Sequence, residues 1–228
     1  MSRAFQHQWQ LSPAEAIQLQ QELRHQVVLR FPGSVDTIRR IAGADVSFDR
    51  HQPVLYAAVV ILSFPELQVL QTFTHVTYAT FPYIPGLLSF REVPALLPIL
   101  QAHADAFDVL ICDGQGIAHP RRFGLAAHLG VLLNKPTIGC AKSRLIGQYT
   151  DPNIEKGSFS PLLDDDEPIG AVVRTRAKVK PVFVSPGHLM DIPTSIRLVL
   201  ETTRRYRLPE PTRQAHILVN QIRQNNRG

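Results

Sequence analysis

The sequence predicts an α/β fold: a mixed β-sheet, three antiparallel strands and then parallel strands, flanked by helices. Three observations predict it. Apolar and β-branched runs over Arg40–Phe48, 54–64 and 67–79 follow one another, and a Pro-Glu turn joins the last two, which favours antiparallel neighbours. Shorter apolar runs at 108–113 and 136–141 enclose a helical pattern over 123–133, an alternation that implies parallel pairing. Amphipathic helical patterns stand towards both ends of the chain.

Taken in order, residues 13–29 carry Ile17, Leu19, Leu23 and Val27 on one helical face, with Ser12 as N-cap. After the three strands, Ser89 opens a helix to about Ala102 with Val93, Leu96, Leu97 and Leu100 at helical spacing, which Pro98 must kink or shorten. Gly114-Gln-Gly116 breaks the 108–113 run. Residues 151–168, acidic and turn-rich, are expected to form a surface excursion, and 169–176 with 179–185 a further strand pair. Asp191 or Thr194 caps a helix to about Tyr206, and 212–223 forms a last one.

The chain of 228 residues suits one domain spanning 1–228, with about 1–10 and 224–228 expected as flexible ends. At 44% hydrophobic and 19% charged residues it is globular and not disordered. No apolar run approaches the roughly 18–20 residues that span a bilayer, and the N-terminus lacks the apolar core of a signal peptide. Cys112 and Cys140 lie in apolar runs and are expected as reduced core thiols, a cytoplasmic trait. The net charge of +5 is concentrated in the C-terminal part, which suits a polyanionic partner.

Three acids stand where local structure does not demand them. Asp45 interrupts the strand IAGADVSF; a strand-end carboxylate facing water is its ordinary reading. Asp113 closes VLICD, at the strand edge where α/β proteins place ligands, although an Asx turn or helix cap would also use it. Glu92 fits an S-x-x-E capping box with Ser89. Together the three could surround a divalent cation, because oxygen ligands suit Mg²⁺ or Mn²⁺.

Residues 42–48 (AGADVSF), 82–92 (PYIPGLLSFRE), 113–124 (DGQGIAHPRRFG) and 139–145 (GCAKSRL) resemble, in order, the motifs of endonuclease V, the deoxyinosine-specific nuclease family. The resemblance covers roughly residues 11–220. It implies a ribonuclease H-like fold and a DNA repair endonuclease dependent on Mg²⁺, with Mn²⁺ also supporting activity. The implied reaction hydrolyses the second phosphodiester bond 3′ to deoxyinosine, leaving 5′-phosphate and 3′-hydroxyl ends. The implied partner is DNA containing deoxyinosine, with no membrane, no organic cofactor and a monomeric chain. An endoribonuclease acting on inosine in RNA, a non-catalytic nucleic-acid-binding domain on the same fold, and a hydrolase of small phosphate esters are the alternatives.

Carried over by motif, Asp45, Asp113 and Glu92 become metal ligands and catalytic acids, Glu92 directly or through water. Lys142 becomes a basic catalytic residue at the scissile phosphate. His216 resembles a histidine near the metal, although a histidine on an amphipathic helix needs no such role. Pro82, Tyr83, Ile84 and Pro85 match a wedge that fills the gap left by a displaced base; Tyr83 and Ile84 could instead pack in the core. Gly86, Leu87, Gly114 and Gly116 match the tight backbone around the lesion pocket, and His119 its side wall unless it is a solvated loop residue. Arg121 and Arg122 are expected at phosphates.

Overall fold

A computed structural model describes residues 7–49 and 52–226. Of the expected flexible ends, residues 1–6 and 227–228 lie outside the described residues; Trp9 is half-buried, and α5 runs to Asn225. Among the described residues eight strands form one sheet: β1 (Arg40–Phe48), β2 (Val54–Ser63), β3 (Val69–Tyr78), β4 (Val109–Cys112), β5 (Thr137–Ala141), β6 (Phe159–Asp164), β7 (Glu167–Val173) and β8 (Val182–Pro186). Their spatial order is β3-β2-β1-β4-β5-β8-β7-β6. The β3-β2-β1 block is antiparallel and β1-β4-β5 is parallel, as the sequence predicts. From β5 outwards through β8, β7 and β6 the pairing reverts to antiparallel.

Residues 151–168 correct the expectation of a surface excursion, because they contain β6 and its hairpin to β7. Ser160 and Leu162 point inwards while Phe159 and Pro161 point out, an alternation hidden by the acidic turn that follows. Asp165 and Asp166 both adopt positive φ, +50° and +64°, the backbone a two-residue hairpin turn requires.

Helix α1 (Pro13–Leu23) begins with a complete capping box: Ser12 Oγ accepts from the Glu15 N–H at 3.3 Å, and the Glu15 carboxylate accepts from the Ser12 N–H at 2.7 Å. It ends six residues before the expected limit. Val27 still reaches the cluster of Leu23, Phe123 and Val131, but from an extended backbone, so apolar periodicity outruns the helix. Helix α2 (Leu88–Ala102) continues through Pro94 and Pro98, held by buried Phe90, Val93, Leu96 and Leu100.

The sheet is the middle of three layers. On one face α2 and α3 (Leu125–Leu133) cover Ala42, Ala44, Val59, Leu110 and Cys112. On the other, α4 (Ile192–Glu201) covers Ile111, Cys140 and Val184, while α5 (Glu210–Asn225) covers Ala58 and Val60 with Ala215 and Val219. Close approach of α5 to β1 depends on Gly43, where a Cβ would lie 2.1 Å from Pro211 backbone atoms.

Candidate active site

The register of β1 and β4 builds the centre. Ala44 stands opposite Cys112, and the Asp113 N–H donates to the Ala44 carbonyl at 3.2 Å. Asp45 and Asp113, one residue further on neighbouring strands, are therefore level. Because Ala44 and Cys112 belong to the α2–α3 cluster, alternation turns both aspartates to the face that α5 covers. There His216 Nδ1 lies 2.7 Å from Asp45 Oδ2, and its Nε2 lies 3.2 Å from Asn220 Nδ2. These partners assign the tautomer: Nδ1–H donates to Asp45 and Nε2 accepts from Asn220. Ligand atoms of Asp45, Asp113 and His216 all lie within 4.8 Å of one another.

Lys142 follows β5 and forms an ion pair with Asp113. Burial and the neighbouring Asp45 charge nevertheless raise the Asp113 pKa, against the pull of Lys142. Glu92 enters from α2, four residues after its first residue, Leu88. The expected capping box does not form: Leu87 occupies the N-cap position without a side-chain bond, and Ser89, one residue into the helix, has a buried Oγ with no partner among the described residues. Burial first, then the charges of Asp45 and Asp113, push the Glu92 carboxyl up to about 8. Three mutually repelling carboxyls with one ammonium among them make a donor set suited to a hard divalent cation.

A pH dependence follows. An acid held near 8 in the fold and at 4.5 when unfolded keeps its proton longer in the folded state. Metal-free protein therefore loses stability as pH rises from about 4.5 to about 8, by a few kcal/mol at most. Glu92→Gln is expected to flatten that slope and raise Tm at pH 8 in EDTA. Thermal melts across the pH range check it; an unchanged slope in the variant counts against it.

Beside the acids lies a cavity of about 130 Å³, lined by Tyr83, Ile84, Pro85, Gly86, Gly114 and His119 from the expected set, and by Leu88, Ser89, Gln115, Gly124, Leu125 and Leu145. Asp113 joins it to the acidic centre through the next residue, Gly114. Tyr83 is 69% exposed at its rim, which excludes a core role for that ring. Pro82 is exposed outside the cavity lining.

Leu87 does not line the cavity. It is buried with Ala16, Phe81 and Phe90, and Leu88 takes the lining position, because the helix begins one residue earlier than Ser89. Gly116 also stands apart from the lining; it packs so closely that a Cβ would lie 2.0 Å from the Pro186 carbonyl oxygen.

His119 is a wall whose ring is fully engaged: Nε2 donates to the Gly86 carbonyl at 2.9 Å and Nδ1 accepts from the Arg121 N–H at 3.1 Å. Burial pushes its pKa down to about 4, so the ring stays neutral. Arg121 turns inwards, donating to Gly86 O at 2.6 Å and Gln20 Oε1 at 2.5 Å. Arg122 is paired at 2.8 Å with both Asp164 and Glu167. These bonds correct the expectation of two phosphate-facing arginines: the apposition of the β6–β7 turn gives Arg122 carboxylate partners that the linear sequence hides. Gln20 also donates to Gly86 O at 3.1 Å and Arg91 to Phe81 O at 2.8 Å, so residues 81–91 are pinned from several sides.

Sequence reasoning missed Ser89 and Gln115 as polar cavity residues. Gln115 Nε2 donates to the Ser143 carbonyl at 3.0 Å, leaving Oε1 buried and without a partner among the described residues. Its position inside DGQG was the available signal. Nothing local marks Gln20, Asn220 or Leu145.

A family model described as Endonuclease V matches residues 21–217. The chain belongs to the endonuclease V family of nucleases. Endonuclease V of Trichormus variabilis is 51% identical over 214 residues, covering 94% of this chain and 96% of that relative. The crystal structure of endonuclease V from Streptomyces avermitilis superposes with a TM-score of 0.89 at 41% identity, covering 100% of both chains. Endonuclease V of Ciona intestinalis, solved in complex with a 24mer DNA containing an inosine followed by a ribo-adenosine, superposes with a TM-score of 0.81 at 29% identity, over 93% of this chain and 98% of that one. The mixed sheet flanked by helices is thus the ribonuclease H-like fold of endonuclease V.

Proposed function

We propose that this endonuclease V family member is a divalent-metal-dependent deoxyribonuclease that hydrolyses the second phosphodiester bond 3′ to deoxyinosine, leaving 5′-phosphate and 3′-hydroxyl ends. The observation that carries the reading is the junction of an acidic centre with a cavity through Asp113 and Gly114. An inosine-containing DNA bound to the Ciona relative supports the substrate class.

Asp45, Asp113 and Glu92 would hold Mg²⁺ or Mn²⁺, which supplies Lewis-acid activation of water and offsets charge on the leaving oxygen. His216 orients the Asp45 carboxylate through their 2.7 Å bond. Lys142, 40% exposed, offers its ammonium to a phosphate oxygen beside Asp113. Tyr83 and Ile84, on a loop fixed by Gly86, Arg121 and Arg91, fill the gap left when the base leaves the stack.

Base choice rests on the unpartnered cavity atoms. Gln115 Oε1 is an acceptor, and the Nε2 bond to the Ser143 carbonyl fixes which end of the amide it occupies. Hypoxanthine presents N1–H to such an acceptor and O6 to the Ser89 hydroxyl; adenine presents an unprotonated N1. The wrong base leaves a buried acceptor unpaired, which costs about 1–3 kcal/mol.

Cleavage of matched oligonucleotides, deoxyinosine against deoxyadenosine, in DNA and RNA, with Mg²⁺, Mn²⁺ or EDTA, tests the reading. Metal-dependent cutting of deoxyinosine DNA is expected; equal cutting of both bases would sink it, and preferential cutting of inosine RNA would transfer the site to the ribonuclease reading. Gln115→Met is expected to lower the preference for inosine about 5- to 150-fold, the equivalent of that cost. Buried free thiols at Cys112 and Cys140 support a reducing, cytoplasmic setting.

A further inference from the structure

A second concavity, of about 600 Å³, has Lys142 in its lining and shares no lining residue with the base cavity. Lys142, Arg174, Lys178, Lys180 and Arg207 contribute five cations to its lining, with Tyr149 beside them; Asp151 is the one acid in its described lining. The two arginines are committed to the architecture. Arg174 donates to Pro152 O at 2.7 Å, Asn153 O at 3.1 Å and Val179 O at 2.7 Å, stapling the 152–153 loop to the 178–180 turn. Arg207 donates through Nη2 to both Lys142 O and Pro181 O at 2.7 Å, which ties the groove wall to the backbone of the active-centre lysine. Lys178 and Lys180 are different. Both are exposed, and neither ammonium has an ion-pair or hydrogen-bond partner among the described residues. Lys178 is held in a left-handed backbone at φ +60°, with its N–H donating to Ile154 O at 2.9 Å. A groove walled by fixed arginines, presenting two unpaired lysines and an aromatic ring, suits a phosphodiester strand with its bases, and not a small anion.

The Asp113–Lys142 ion pair links the two concavities: Gly114, next to Asp113, lines the first and Lys142 lines the second. A strand with its lesion base in the first and its cleavable phosphate at this ion pair has the second as its adjoining cationic exit. We infer that the Lys178–Lys180 groove binds the phosphates of the substrate strand on the 3′ side of the cut, and so sets the strand's polarity across the acidic centre. The inference rests on the nuclease reading and deepens it.

The test compares inosine oligonucleotides ending shortly beyond the cut with ones extended by about ten nucleotides on the 3′ side, and separately on the 5′ side. Wild-type protein is expected to gain kcat/KM and affinity from the 3′ extension at low salt. Lys178→Ala/Lys180→Ala is expected to lose that gain, with the slope of log K against log salt on the 3′-extended strand shallower by about 1 per lysine. Thermal melts confirm that the variant is folded. A variant with the full 3′ gain, or one that loses a 5′ gain instead, overturns the assignment while leaving the nuclease reading intact. Failure of wild-type protein to cut any of the inosine strands removes the nuclease reading itself, and this inference with it.

Discussion

Asp113→Asn is expected to abolish metal-dependent strand cleavage, by a factor on the order of 10³ or more, while the metal-free protein becomes no less stable. The first effect follows from the position of Asp113, level with Asp45 and touching Lys142, where a divalent ion is worth several kcal/mol of transition-state charge stabilisation. The second follows from repulsion. Asp113 is kept reluctant to ionise by burial and by Asp45, so a neutral amide removes an unfavourable charge. Relief on the order of 1 kcal/mol corresponds to a rise in Tm of about 2–4 °C. Lys142 loses its partner, but at 40% exposure its ammonium remains solvated. Melting curves with EDTA and with Mn²⁺ check both halves: wild-type protein should gain Tm with Mn²⁺ and the variant should not. A variant that melts far below wild type in EDTA would mean that Asp113 serves the fold, not the ion.

Gly43→Ala is expected to cost about 10²-fold in cleavage and about 1–3 kcal/mol in stability, although Gly43 is not itself a candidate ligand. A Cβ there would stand 2.1 Å from Pro211 C and O and 2.6 Å from Thr212 N, so the start of α5 must retreat by about 1 Å. His216 lies on that helix, and its 2.7 Å bond to Asp45 goes with it. The cavity for the base is lined by other elements, so binding of an inosine oligonucleotide in EDTA should survive. Unchanged cleavage by a folded Gly43→Ala protein would show that the placement of α5 does not control the acidic centre.

Much of this was legible because local physics repeats along the chain. The β1 expectation matched both ends, since an apolar run with an isolated acid has few other uses. Ser12 and Glu15 announced a capping box that exists; Ser89 and Glu92 announced the same pattern, yet α2 starts at Leu88 and leaves Glu92 among the acids. The difference is tertiary. Leu87 is pulled into the Phe81–Phe90 cluster, and that fixes where the helix begins.

By itself, the sequence determined the α/β class, seven of the eight described strands, and the acids carried by β1 and following β4, because alternation, turn chemistry and the cost of burying a carboxylate act over a few residues. Tertiary structure alone decided which groups share a site. His216 reaches Asp45 only because Gly43 admits α5, Arg122 is taken by a turn more than forty residues away, and Gln20 of α1 holds the Gly86 carbonyl behind the cavity. Such contacts depend on which backbones can approach and which donors find acceptors, and neither is written in the spacing of neighbouring residues.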